Sequence, residues 1–402
     1  MINTITLNPA IDCILFIDRF ERNVTARVRE KTEALGGKGV HISVNLALMG
    51  ERSQAFGVLF GEVGRRIERE LAEIGVTTRF VFGSDGSEGN DGAGEPGRPG
   101  GSDGSDGSGV PGGPGEPDSP DDTNRKCRTN RTDKNALDGA DGPLCGGNRE
   151  GVTGRAAKNS RTNYVVVEES GGATIIADQG VSLSSDEVDM VLDTLLLHSN
   201  EGDSLVLSGD ASNAGDPEVY ARFIRAFRQH KGEQDKGDGS FSPVQQKHQH
   251  QGRRVYVDAS GQALAKAIEA APFLIKPSRD EMEGLTGEKI EGETDALRAI
   301  RSLDRFGIEN IALTLGAEGS IVRFGETFLR ALPPEVPVKN TIGCGDAFMA
   351  GLIAGFAQGL SAEQTLRKAT SVAAATAASP LTVGFDPGYA DSLFDKIGIE
   401  TL

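Results

Sequence analysis

Short apolar stretches alternate along this chain with longer segments whose apolar residues recur at helical spacing, and that alternation narrows the fold to a layered α/β architecture. Ile2, Ile5 and Leu7, then residues 14–17, read as two short strands separated by an Asn8-Pro9 turn. A helical pattern runs from Ile42 through Val44, Leu46 and Leu48 to Met49, where Gly50 stops it. Residues 53–59 form the next strand, and Ile67, Leu71 and Ile74 mark a helix closed by Gly75. Further on, strands are expected at 162–168 and 173–177, joined by Ser170-Gly171-Gly172, then a helix through 188–197 and a strand at 204–207. Strands at 255–258, 273–276 and 310–315 alternate with helices at 263–270, around Leu285 and at 296–306. A small hairpin (320–324 with 327–331) precedes two long Ala-rich helices at about 346–358 and 361–378. Units repeating at this spacing favour a mainly parallel sheet covered by helices on both faces.

Two polar tracts interrupt the pattern. The first, 83–150, holds much of the chain's excess of glycine, 54 residues in all, with almost nothing apolar to bury, so disorder is expected there. The second spans 230–253. Both can be removed without breaking a strand–helix unit, so they read as surface insertions in one domain covering 1–402. A formal net charge of −17 disfavours nucleic acid and anionic membrane as partners. The opening residues lack a basic leader, and Asp12 interrupts the apolar stretch, so no signal peptide is read. Cys13, Cys127, Cys145 and Cys344 show neither metal-ligand spacing nor disulfide density. A cytosolic, cytoplasmic protein is expected.

The chemistry concentrates at Asn340-Thr341-Ile342-Gly343-Cys344-Gly345-Asp346, where two glycines flank one residue and a long helix begins. A helix start offers unpaired N–H groups to an anion, and the glycines allow close backbone approach. An Asp beside such a site suits deprotonation of a hydroxyl that attacks a phosphoryl group; an N-cap role explains Asp346 equally well. Gly36-Gly37-Lys38-Gly39 also precedes a helix, without the spacing of a Walker A loop. Leu315-Gly316-Ala317-Glu318-Gly319 follows a strand and suits either a nucleotide loop or a plain turn. Asp12, in an apolar setting, needs partners, and sugar hydroxyls qualify.

Together these residues resemble the ribokinase-like (PfkB) carbohydrate kinases, within them the branch containing 1-phosphofructokinase and tagatose-6-phosphate kinase. The resemblance implies a three-layer αβα sandwich with a mainly parallel sheet and a small β-sheet lid, the lid strands lying at about 14–34, 78–82 and 161–176. It also implies ATP and Mg²⁺, a small phosphorylated sugar as substrate, and a homodimer through the lid. Gly343, Cys344, Gly345 and Asp346 correspond to the anion hole and catalytic base. Asp12, Gly37, Lys38, His41 and Arg161 correspond to the sugar site, Arg161 holding the substrate phosphate. Lys276, Thr314, Gly316 and Gly319 correspond to the nucleotide site, and Glu281 to the residue that organises water around Mg²⁺. The reaction implied is phosphorylation of fructose 1-phosphate to the 1,6-bisphosphate. Tagatose 6-phosphate and fructose 6-phosphate are alternative acceptors, and a sugar-binding regulatory protein of low catalytic power is the alternative outside the enzymes.

Four positions depart from the family pattern. His41 replaces a sugar-contacting Asn, and Ser278 replaces the Asn of an Asn-x-x-Glu element. Asp210 sits in a loop that faces the substrate phosphate, where its charge would repel unless it points away. Cys344 replaces Ala and is small enough to be harmless; a lowered thiol pKa at its helix-start position is the lesser reading.

Overall fold

The computed structural model describes residues 1–84, 158–170, 172–230 and 253–402. The disorder expected for 83–150 and the polar tract at 230–253 lie almost wholly outside the described residues. In chain order the elements are β1 (Ile2–Thr6), β2 (Ala10–Ile17), β3 (Val28–Gly36), α1 (Lys38–Leu48), β4 (Ser53–Leu59), α2 (Gly61–Glu73) and β5 (Thr77–Phe82). There follow β6 (Arg161–Glu168), β7 (Ala173–Ile176), α3 (Ser185–His198), β8 (Ser204–Ser208), α4 (Val219–Gln229) and β9 (Val255–Asp258). Next come α5 (Gly261–Ala267), β10 (Leu274–Ile275), α6 (Arg279–Thr286), α7 (Glu293–Ser302), β11 (Asn310–Thr314), β12 (Ser320–Phe324) and β13 (Thr327–Leu332). The chain closes with α8 (Cys344–Ala357), α9 (Ala362–Ala377), α10 (Pro387–Phe394) and β14 (Gly398–Thr401).

Ten strands form one sheet in the order β14-β13-β12-β11-β10-β9-β8-β1-β4-β5. Pairing is parallel from β5 to β11, and β12, β13 and β14 add on antiparallel at one edge. Alternation along β8 shows why both faces must be covered. Leu205 and Leu207 point into a core with Val191, Leu195, Phe223 and Phe227 of α3 and α4. Val206, between them, joins Ile42, Leu46, Phe348 and Leu366 of α1, α8 and α9 on the other face. Helices thus sandwich the sheet, as the strand–helix alternation requires.

A second sheet of four strands, β3-β2-β6-β7, stands apart from the first. Here β2 and β6 are parallel, Ala10 opposite Arg161, while β3 and β7 flank them antiparallel. The expected lid contained 78–82, and that part is corrected: β5 pairs with β4, Phe56 opposite Arg79, at the edge of the large sheet. The first polar tract therefore lies between a strand of the large sheet and a strand of the small one. The pattern reading also passed over α4, α10 and β14. Among the described residues no helix is long and apolar enough to cross a membrane.

Candidate active site

The parallel strands all end at one edge of the large sheet. Strand order reverses between β1 and β8, the chain turning first toward β4 and β5 and later toward β9, β10 and β11. Crevices form at the carboxyl ends of strands around such a reversal. Tyr220 donates its hydroxyl to the Ser208 and Gly209 carbonyls, and Asn213 donates to Leu7 O at 3.1 Å, so the ends of β8 and β1 are tied together.

Two helices begin at this edge side by side. Helix α8 starts from Gly343, whose φ of 84° is left-handed and whose backbone is pressed so close to Thr382 O that a Cβ would collide with it. The first N–H to find a helical carbonyl is that of Ala347, on Gly343 O, so the N–H groups before it remain available to an anion. Asp346, buried in the first turn, accepts from or shares a proton with His41 of α1, Nδ1 lying 2.7 Å from Oδ2. The other ring nitrogen, Nε2, is 3.0 Å from Leu35 O and 3.5 Å from Asp12 Oδ2. Asp12 accepts from Asn163 at 2.9 Å, and Gly36 has no room for a Cβ because Asp12 fills that space.

Burial works against charge on His41, but Asp12 and Asp346 outweigh it and push the imidazole pKa up to about 10. Burial alone would raise Asp12; His41 and Asn163 reverse that and hold the carboxyl below its ordinary value. The lesser reading of Cys344, a thiol pKa lowered by the helix start, does not hold, since burial and then the Asp346 charge push it up to about 12. A helix start does not offset the loss of water together with a neighbouring carboxylate.

Four charged side chains meet beside α8. Asp258, at the end of β9 and fully buried, accepts from Lys38 Nζ at 3.1 Å, while Lys276 Nζ stands 3.2 Å from its other oxygen at an angle outside hydrogen-bonding geometry. Lys38 also reaches Glu281 at 3.4 Å, and Lys276 Nζ lies against Gly345, in the first turn of α8. Burial disfavours the Lys38 ammonium, yet Asp258, Glu281 and Asp346 overcome this and hold its pKa above the usual lysine range. Burial likewise raises Asp258, and Lys276 and Lys38 bring it below the ordinary carboxylate value. Nothing in the sequence reading singled out Asp258; a lone Asp closing an apolar strand, Val255–Asp258, was the available signal.

Ser278 caps α6 and forms a reciprocal box with Glu281: the Glu281 N–H donates to Ser278 Oγ at 3.3 Å, and the Ser278 N–H to Glu281 Oε2 at 2.8 Å. Ser in place of Asn therefore still anchors Glu281. The loop after β11 lies alongside, because Thr314 N donates to Pro277 O at 3.0 Å and Arg279 pairs with Glu318. Gly319 has a positive φ of 89° and backs onto Ala331 O, so the strand turn explains that glycine by itself. Gly316, with φ of 61°, and Gly37, with φ of 99°, also sit in turns at this edge.

Arg161 begins β6 and donates Nε to Asn8 O at 3.0 Å and Nη1 to Asp178 O at 3.1 Å, leaving Nη2 without a partner among the described residues. Burial lowers its pKa despite the nearby charges of Asp210, Asp12 and Asp178. Asp210 folds back on its own turn, accepting from Ser212 N and Ser212 Oγ at 2.9 and 2.8 Å. Its carboxylate thus has local partners and also serves as a counter-charge to Arg161.

Hydrogen bonds and ion pairs therefore link Asp12, His41 and Asp346 in one group and Lys38, Asp258, Lys276 and Glu281 in another. A cleft of about 670 Å³ outside this site, lined by Met1, Arg52, Gly202 and Arg254, opens at the opposite edge, where β1, β4, β8 and β9 begin.

Phosphofructokinase-2 from Escherichia coli, solved in complex with substrates and products, superposes with a TM-score of 0.68 at 18% identity over 98% of both chains, so the two share a fold. The model of the pfkB family carbohydrate kinases matches residues 153–386, more than half of the chain, and the chain belongs to that family. The 1-phosphofructokinase of Vibrio cholerae is 30% identical over 220 residues, covering 55% of this chain and 63% of that enzyme, under two thirds of its length. The tagatose-6-phosphate kinase of Staphylococcus epidermidis is 22% identical over 402 residues, 99% of each chain.

Proposed function

We propose that this chain is an ATP-dependent phosphosugar kinase, with fructose 1-phosphate as acceptor and fructose 1,6-bisphosphate and ADP as products. The observation that carries this reading is the meeting of Asp346 with the open N–H groups of α8 and the ammonium groups of Lys276 and Lys38. In that setting the acceptor hydroxyl gives its proton to Asp346 as its oxygen bonds to the γ-phosphorus. The bond from that phosphorus to the bridging oxygen breaks, and ADP leaves. The N–H groups of α8 and the two lysines face the charge on the transferring group, so they stabilise it without reorganising. Asp12 and Asn163 suit the sugar hydroxyls, and Nη2 of Arg161 suits the phosphate already on the sugar.

Among the described residues no group of three or more His, Cys, Asp or Glu side chains could cage a metal. Magnesium suits such a place, since it keeps several waters and binds through one or two carboxylates together with phosphates. Glu281, partly exposed and anchored by Ser278, is the carboxylate we assign to it; bound magnesium would neutralise phosphate charge. Thr314, Gly316 and Gly319, beside Glu281, are assigned to the nucleotide.

We also place the protein in the cytosol, and assign the small sheet as a lid that pairs with a second copy. Tyr164, Ile175 and Ile176 expose about half of their surface on that sheet, and sedimentation velocity tests the pairing.

Turnover is to be followed as ADP release with Mg-ATP and fructose 1-phosphate, fructose 6-phosphate or tagatose 6-phosphate, alongside Asp346→Asn. Preference for fructose 1-phosphate is expected, with the variant slower by about 10²–10⁴-fold. Preference for another sugar phosphate would move the acceptor. Absence of turnover on all three would overturn the reading in favour of a regulatory sugar-binding protein.

A further inference from the structure

His41 faces acceptors at both ring nitrogens. Leu35 O can only accept, so Nε2 must carry a proton, and Nδ1 at 2.7 Å from a carboxylate oxygen holds or shares another. A neutral imidazole could satisfy both contacts only if Asp346 were itself protonated. The partners come from three different elements: Asp346 opens α8, Leu35 closes β3, and Asp12 stands on β2. The segment after α9 brings Thr382 to the same place and no titratable group, and on α1 itself the nearest charge is Lys38, which turns to Asp258. Asp12 and Asp346 are therefore the charged groups facing the ring.

We propose that His41 is the positioning residue for Asp346: its Nδ1–H pins Oδ2, so Oδ1 is the oxygen left to take the proton of the attacking hydroxyl, and its Nε2–H fastens that base to the root of the small sheet. Asp346 Oδ1 has no hydrogen-bond partner among the described residues, in keeping with that role. An imidazolium also stands between two buried carboxylates that would otherwise repel each other. Because the ring bridges α8 with β2 and β3, movement of the small sheet is transmitted to the base through one side chain. The inference rests on the reading of Asp346 as the base.

Two measurements test it, the first independent of turnover. Imidazole ¹⁵N spectra of the whole protein, with His41 assigned through His41→Asn, are recorded from pH 5 to pH 11. A doubly protonated His41 is expected through pH 8, with its transition falling by at least about one unit in Asp346→Asn. A His41 that is neutral at pH 7 in the unaltered protein overturns the proposal. The second is the pH dependence of kcat/KM for the active sugar in His41→Asn and His41→Gln. Loss of the cation should move the acidic limb to higher pH by about one unit and lower kcat by about 10- to 100-fold while KM for the sugar changes little. An unmoved limb in folded variants overturns the proposal. An imidazolium clamp in a protein inactive on every sugar would retire the phosphotransfer reading and, with it, the positioning of a base, leaving only the contacts of the ring, whereas turnover with a neutral His41 would retire the clamp alone.

Discussion

Asp258 shows how one buried carboxylate organises a site. It lies at the end of β9 with two ammonium groups on it, and its removal would leave Lys276, itself only 4% exposed, as an uncompensated buried charge. Breaking such a pair costs about 3–5 kcal/mol; solvent reaching Lys38 places Asp258→Asn near the lower end, read as a lowered urea midpoint. Because the folded carboxyl is depressed, its stabilisation is present above the ordinary value of 3.8 and is lost as pH falls through the lower folded value. His41 runs the other way. Its raised value makes its contribution complete below the ordinary 6.5 and lost as pH climbs toward about 10. The melting-temperature gap between the unaltered protein and His41→Asn should therefore be widest near pH 6 and narrow steadily to pH 10.

Helix α8 carries the chemistry because its start is held in one place. Gly343 adopts φ of 84° against the Thr382 carbonyl, and any side chain there must push the first turn away from the sheet edge. Gly343→Ala should cost about 1–2 kcal/mol from the left-handed backbone alone, with the collision adding to it. Since the displaced N–H groups and Asp346 both lose register with the acceptor, kcat should fall by about 100-fold or more, a larger loss than the melting shift suggests. This helix and its Gly-Cys-Gly-Asp start were legible in the sequence, since small residues followed by an apolar run have few other readings. Strand β5 was not. Its residues identify a strand, but six residues do not say which sheet accepts them, and its pairing with β4 follows from the α2 crossover. Helix α4 was readable: Val219, Tyr220, Phe223, Ile224 and Phe227 keep helical spacing and are all buried, yet the adjoining polar tract obscured it.

The whole molecule accommodates its first polar tract where its ends already meet. Gly83 N donates to Leu59 O and Ser160 N to Phe60 O, both at 2.9 Å, so the chain leaves and returns at neighbouring residues. Loop length costs only about 0.6 kcal/mol per doubling, so replacing residues 85–157 with a short Gly/Ser linker should preserve the fold and turnover. Far-ultraviolet dichroism and ADP release would check this, and loss of either would show that the tract contributes to the site. Strand–helix alternation, the helix-start motif and the separate polar tracts could be read from the residues, because periodicity and glycine placement act locally. Asp12, Lys38 and Asp346 were also nameable as candidates. That His41 would lie between two carboxylates, that Asp258 would hold two lysines, and that Cys344 would have a raised pKa depended on residues far apart in the chain. Charge and burial act through space, and folding brings positions 12, 41 and 346 within reach of one imidazole ring.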